Sequence, residues 1–321
     1  MAMPVQPQLI GVDVSKAELV ICQDPQQALH ILGNDLQIID QWLDSLPCGP
    51  VCLAIEATNT YHLTLLQQAH ARGHTVYLID GLRLHRYRES IGGRAKTDAS
   101  DARLLWRYLE RERTDLRPWN PPGEGYVAIQ RLLRRRAVLV KAKVALTQSL
   151  REFAELKQPA KTLFRQLAQI DTLIQRRLGQ LVRQHHWVGD VARCQAMEGV
   201  GPLTATALTM TFHRGPFRSA DAFIAFLGLD VRARDSGTYR GRRKLTKKGD
   251  PELRRLLHLA AMQASRSATW QAFYQGLLAR GLAKIQALVI LARKLARVAF
   301  ALLKNQSDYQ PKEVRMTCPE T

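Results

Sequence analysis

Over the first eighty residues, short apolar runs alternate with segments of helical spacing. Leu9-Ile10-Gly11-Val12-Asp13-Val14 reads as a strand that ends in an acid and a Ser-Lys turn. Residues 18–22 can pair back on it as a hairpin, and residues 28–32 give a third strand ending at Gly33-Asn34. Residues 35–46 place Leu36, Ile39, Trp42 and Leu43 on one helical face. Val51-Cys52-Leu53-Ala54-Ile55-Glu56 is another apolar strand that ends in an acid. A helix over 61–72, Gly73 and a strand over 75–80 follow. This order predicts a mixed sheet with helices packed on it.

Residues 98–113 form a helix pattern, with Ala102, Leu105, Trp106 and Leu109 on one side. Arg117-Pro118-Trp119-Asn120-Pro121-Pro122-Gly123 breaks it and reads as a domain boundary. Two long helical stretches, 127–157 and 161–184, follow on either side of Pro159. The second carries Leu163, Leu167, Ile170, Ile174, Leu178 and Leu181 at steps of three or four. That seam suits a hairpin within the chain or a coiled coil between chains. Beyond Trp187, Gly199-Val200-Gly201-Pro202 precedes an apolar helix over 203–212, and a short helix covers 220–227. Residues 230–245 read as a polar loop or edge ribbon. Asp250-Pro251-Glu252 is a good helix start, and long helices run to about Lys304. The expected domains are 1–120, an α/β domain; 121–187, a helical assembly segment; and 188–306, a mainly α domain; 307–321 is a loose tail.

Charge adds to this picture. The 321 residues carry a net charge of +19, unevenly spread. Residues 1–80 hold two basic side chains, Lys16 and Arg72, against eight acids, whereas residues 81–321 carry a net +25. A basic excess interleaved with structured segments is the footprint of a polyphosphate binder. The opening MAMPVQPQLIGVD does not read as a secretory signal, and no stretch reaches 18 consecutive apolar residues. The five scattered cysteines suit a reducing cytoplasm and support neither a disulfide framework nor a zinc site.

Asp13 and Glu56 each end a strand, so neighbouring strands would set them side by side at one sheet edge. Asp98 and Asp101, three apart at a helix start, share a face. Four converging carboxylates repel unless divalent cations sit between them. Mg²⁺ prefers oxygen ligands, Mn²⁺ can substitute, and two ions about 4 Å apart can clamp a phosphodiester. Singly, each acid has an ordinary reading as a turn or capping residue. Lys16 and Lys96 would lie near enough to meet phosphates.

Residues 231–255 hold ten basic residues and three acids, around Arg234-Asp235-Ser236-Gly237-Thr238-Tyr239-Arg240-Gly241-Arg242-Arg243. Ser236 is either a plain loop serine or a hydroxyl offered to a phosphate whose charge the arginines offset. Gly199 and Gly201 form either a simple helix–helix turn or a helix-hairpin-helix turn whose amides hold a phosphate. Arg131, Arg134, Arg135, Arg136, Lys141 and Lys143 on the first long helix can grip a nucleic-acid backbone, as can Arg83, Arg86, Arg88 and Arg94. Each has a solvated surface as its plainer reading.

Three of these segments resemble the motifs of the DEDD transposases of the insertion sequence 110 family, which includes the Piv-type pilin-gene invertases. They are Gly11-Val12-Asp13-Val14-Ser15-Lys16, Ile55-Glu56-Ala57-Thr58-Asn59-Thr60-Tyr61-His62 and Lys96-Thr97-Asp98-Ala99-Ser100-Asp101-Ala102-Arg103. Asn59 stands where members usually have Gly; Asn also tolerates positive φ. Residues 223–229, Asp235-Ser236-Gly237 and Lys247-Lys248-Gly249-Asp250-Pro251-Glu252-Leu253-Arg254-Arg255 are similar to the family's C-terminal transposase domain.

The resemblance implies a RuvC-like, RNase H-type N-terminal domain in which Asp13, Glu56, Asp98 and Asp101 bind metal. It implies Ser236 as the nucleophile that becomes joined to a 5′ phosphate. It also implies a structured bridge RNA that pairs with donor and target DNA. The seam between Leu163 and Leu181 predicts self-association as a dimer of dimers. Arg94, Lys96, Arg134, Arg135, Arg234, Arg240, Arg242, Arg243, Lys247, Lys248, Lys16, Gly199 and Gly201 are the expected nucleic-acid contacts. The expected setting is the bacterial cytoplasm, on the nucleoid when bound to DNA. The competing expectations are a RuvC-like metal-dependent endonuclease that forms no covalent intermediate, and an inactive nucleic-acid-binding derivative.

Overall fold

The computed structural model describes residues 6–92, 97–232, 235–237, 239–241 and 243–311. Arg94, Lys96, Arg234 and Arg242 therefore lie outside the described residues. The chain divides into two compact units, Met1–Pro121 and Pro122–Thr321.

The first unit runs β1 (Gln8–Val14), β2 (Glu18–Cys22), β3 (His30–Gly33), α1 (Leu36–Asp44), β4 (Val51–Glu56), α2 (Leu63–Ala71), β5 (Thr75–Ile79), α3 (Gly81–Ser90) and α4 (Asp98–Glu112). Its sheet has the order β3-β2-β1-β4-β5. The first three strands are antiparallel, and β1, β4 and β5 run parallel. A hairpin can join β1 to β2, whereas the parallel pairs need crossovers, which α1 and α2 supply. This is the mixed sheet that the apolar runs predict, in the RNase H-like arrangement of the DEDD domain.

Strand alternation sorts the core into two layers. Ile10, Val12, Val14, Leu53 and Ile55 pack on Ile39 and Leu43 of α1 and on Leu65, Leu66 and Ala69 of α2. On the opposite face, Ala54, Tyr77 and Ile79 meet Leu104, Leu105, Tyr108 and Leu109 of α4. Gly11 lies under α4, and a Cβ there would sit 2.3 Å from the carbonyl oxygen of Ala102. Glycine at this position lets the helix backbone approach the strand directly.

Helix α3 falls where the sequence pattern gives no element. It buries only Leu84, so it has no apolar stripe to read. Its start is defined by Asp80, whose side chain accepts from the backbone N–H of Arg83 at 3.1 Å.

The second unit contains α5 (Glu124–Ser149), α6 (Lys157–Gln184), α7 (Val188–Gln195), α8 (Pro202–Phe212) and α9 (Ala220–Phe226). Among the described residues, four two-residue strands follow: β6 (Val231–Arg232), β7 (Asp235–Ser236), β8 (Tyr239–Arg240) and β9 (Lys244–Leu245). The unit ends with α10 (Pro251–Ala264), α11 (Ala268–Ala279) and α12 (Lys284–Asn305). The ribbon pairs β6 with β9 and β7 with β8, both antiparallel.

The interruption between α5 and α6 is residues 150–156 and not Pro159, which sits in the first turn of α6. A proline there gives up an N–H that has no partner within the helix. Arg136 Nε bridges the two helices to Asp171 Oδ1 at 2.7 Å. The seam on α6 has two fates. Leu178 and Leu181 join Ile129 and Leu133 of α5 in the unit's core, together with Met210, Phe223, Leu257 and Leu295. Leu163 and Ile170 stay 37% and 43% exposed. Asp250 caps α10 as expected, accepting from the Glu252 N–H at 2.9 Å. No helix among the described residues is long and apolar enough to cross a membrane.

Candidate active site

Register builds the acidic site. Val12 of β1 pairs with Ile55 of β4, so the residues that follow stand side by side: Asp13, one residue before the end of β1, and Glu56, the last of β4. Asp101 approaches from the first turn of α4 and is buried. Ligand oxygens of Asp13, Glu56 and Asp101 all lie within 4.8 Å of one another. Asp98 is exposed, at the first position of α4. It is not one of these three, although its charge acts on Asp13. It does not cap the helix. Thr97 does, in a reciprocal pair: Ser100 N–H donates to Thr97 Oγ1 at 3.2 Å and Thr97 N–H donates to Ser100 Oγ at 2.9 Å.

The convergence shows in Asp13. Burial pushes its carboxyl up to about 6; the charges of Asp101, Asp98 and Glu56 add to this, and a backbone hydrogen bond at Val14 opposes it. Three half-buried or buried carboxylates within mutual ligand distance are a donor set of hard oxygens, which fits a divalent cation.

Two further residues shape the cluster, both on α3. A Cβ on Gly81 would lie 2.5 Å from Glu56 Oε1, so the glycine leaves room for that carboxylate. Arg88 does not stand free for a phosphate: its guanidinium donates to Asp101 Oδ1. The seven-residue spacing of Gly81 and Arg88 puts both on one helical face, a signal that could be used only once α3 is recognised. Arg83 lies over the Tyr108 ring, 5.6 Å from its centroid. Asn59 adopts φ 46°, the left-handed turn that Asn tolerates.

In the second unit, Ser236 is exposed on the β7–β8 ribbon, where it pairs with Tyr239. Gly237, at φ 54°, turns the chain beside it. Of Arg240 only the backbone is described; Arg243, Lys247 and Lys248 are exposed, as are Lys16 in the first unit and Arg135 on α5. Arg134 Nε is bound to Asp250 Oδ2 at 2.9 Å. Gly199 has φ 84°, and a Cβ on it would meet Ala260 O and Ala264 N of α10 at 2.5 Å. Close helix packing therefore explains that glycine without any phosphate. Gly201 is exposed, with open space around it.

Comparison with known proteins decides what carries this arrangement. Residues 10–159 match the DEDD transposase domain of IS110 elements, and residues 191–275 match the transposase family IS116/IS110/IS902. A probable family 20 transposase of Pseudomonas aeruginosa is 30% identical over 301 residues, covering 82% of this chain and 87% of that protein. The chain belongs to the IS110 family of transposases. The pilin gene-inverting proteins of Moraxella bovis and Moraxella lacunata are each 27% identical, over 316 and 322 residues; each alignment covers 94% of this chain and 97% of the relative. An IS110 transposase is a DNA-processing enzyme, and its DEDD acids suggest the use of divalent metal. Asp13, Glu56 and Asp101 form the acidic cluster that could hold such an ion in this member.

Proposed function

We propose that this IS110 transposase cuts and exchanges DNA strands with Ser236 as nucleophile, using magnesium held by Asp13, Glu56 and Asp101 with Asp98 beside them. The observation that carries the reading is the carboxylate cluster, whose ligand oxygens lie within 4.8 Å of one another. Cations bound there would supply positive charge to the scissile phosphate.

The chemistry balances as a transesterification. Ser236 Oγ forms a bond to phosphorus, the bond from phosphorus to the 3′ oxygen breaks, and the seryl proton is lost while the leaving oxygen gains one. The product is a 5′ phosphoserine and a free 3′ hydroxyl. One phosphate ester replaces another, so the step is nearly isoenergetic and a second 3′ hydroxyl can reverse it on a new partner strand. Ser236 suits the task because it is exposed on a short ribbon beside a glycine turn. Arg243, Lys247 and Lys248, exposed in the same stretch, would hold the DNA backbone.

Site choice falls to a bridge RNA that pairs with donor and target DNA, while the basic surface grips backbone and shape. The net charge of +25 over residues 81–321 supports two nucleic-acid partners. Copies of the chain pair through the exposed part of α6 and assemble as a dimer of dimers on the nucleoid.

The test is a denaturing gel of the full chain with its RNA, element-end DNA and Mg²⁺. A covalent protein–DNA band is expected, absent in Ser236→Ala and in EDTA. Strand cleavage that persists in Ser236→Ala without any such band would overturn the serine mechanism in favour of hydrolysis.

A further inference from the structure

The acidic cluster is served by a side chain that carries the opposite charge. Arg88 Nη2 of α3 donates to Oδ1 of Asp101, and the two side chains are only 11% and 6% exposed. Ser100 Oγ lies 3.3 Å from the same oxygen, although its shorter bond goes to Thr97 O at 2.8 Å. A charge buried to this degree is costly unless it is paired, and a guanidinium is never neutralised. Arg88 is therefore committed to Asp101 and is not a surface contact for nucleic acid. The side-chain contacts to Asp101 found among the described residues go to Oδ1. Gly81, two turns earlier on the same helix, gives Glu56 its space. Helix α3 thus backs two of the three acids.

Resting on the metal-site reading, we infer that Arg88 is a positioning residue: it fixes the Asp101 carboxylate through Oδ1 so that Oδ2 is presented to a divalent cation between Asp13 and Glu56. Partners of this kind, which orient a ligand without touching the ion, typically govern metal affinity by about 10- to 100-fold. The opposite effect is also physical. A guanidinium near a cation site repels the cation, so a residue that acted only as a counter-charge would lower affinity, and its removal would tighten binding. The two roles differ in the sign of one measurement.

Mn²⁺ titration of the full-length protein, followed by the electron paramagnetic resonance signal of the free ion, reads that sign without reference to activity. Arg88→Met is expected to weaken Mn²⁺ binding about tenfold, with raised Mn²⁺ restoring the rate of DNA cleavage. Arg88→Lys keeps the charge and one donor but loses the planar fork, and is expected to bind more weakly than the wild type as well. Unchanged or tighter binding by a folded Arg88→Met would overturn the inference. If that variant does not fold, Arg88→Lys decides in the same way: unchanged affinity overturns it. The wild-type titration separates the two levels of the argument. If it shows no Mn²⁺ site that Asp13→Asn removes, the metal reading itself fails.

Discussion

Gly81 and Glu56 are so close that a Cβ on the glycine would lie 2.5 Å from the carboxylate Oε1. The obstruction is the far end of a flexible side chain, so Gly81→Ala should move the carboxylate and spare the helix. Gly81 is the first residue of α3, next to its Asp80 cap, so the change leaves the interior of the helix untouched. Gly81→Ala is therefore expected to melt near the wild-type temperature while losing most Mn²⁺ binding and DNA cleavage. A variant that loses stability and activity together would count against this.

Gly11 presents the contrasting case. Its added Cβ would meet backbone, Ala102 O at 2.3 Å and Trp106 N at 2.4 Å. Backbone cannot swing aside, so α4 would have to lift from β1, taking Asp101 with it. Gly11→Ala is expected to cost about 3 kcal/mol, read as a lowered midpoint in urea.

Proton linkage at Asp13 predicts an unusual pH response for the metal-free protein. The carboxyl rises from 3.8 to about 6 on folding. Between those values the folded chain holds more protons than the unfolded one, so this contribution to stability is present at low pH and is lost as pH rises through the window. In EDTA, Asp13→Asn should be more stable than the wild type at pH 7.5 by about 1 kcal/mol, after allowance for partial solvent screening. The advantage should vanish at pH 4. Thermal melts at the two pH values check both signs.

Assembly through α6 yields a position-dependent result. Ile170 and Leu173 are 43% and 60% exposed, whereas Leu178 is in the core. Ile170→Glu or Leu173→Glu should shift sedimentation toward smaller species with the fold intact. Leu178→Glu should unfold the second unit. Ile174 packs against that core, so a charge there should weaken both folding and assembly.

The central sheet and three of the acids were legible because they rest on strong local signals. Strand β4 is continuous apolar sequence ending in Glu56, and its observed bounds are the ones the pattern predicts. Helix α3 was not legible, because a helix that buries one leucine leaves no period in the sequence. The sequence alone accordingly makes Arg88 a surface cation, because its partner Asp101 lies on another element. Pro159 misled for a related reason. Proline marks a boundary only to within a turn, and here the true break is residues 150–156. The close approaches at Gly11, Gly81 and Gly199 are tertiary facts, which no single stretch of chain encodes.

The strand–strand–helix origin of the cluster has a consequence for synthesis. Its three acids come from β1, β4 and α4, at the start, middle and end of the first unit. A ribosome-bound fragment that stops short of α4 has two carboxylates and an unfilled sheet face, and cannot assemble the acidic cluster. The three-acid cluster thus arises late in the synthesis of the first unit, as a property of that unit when finished and never of a part of it.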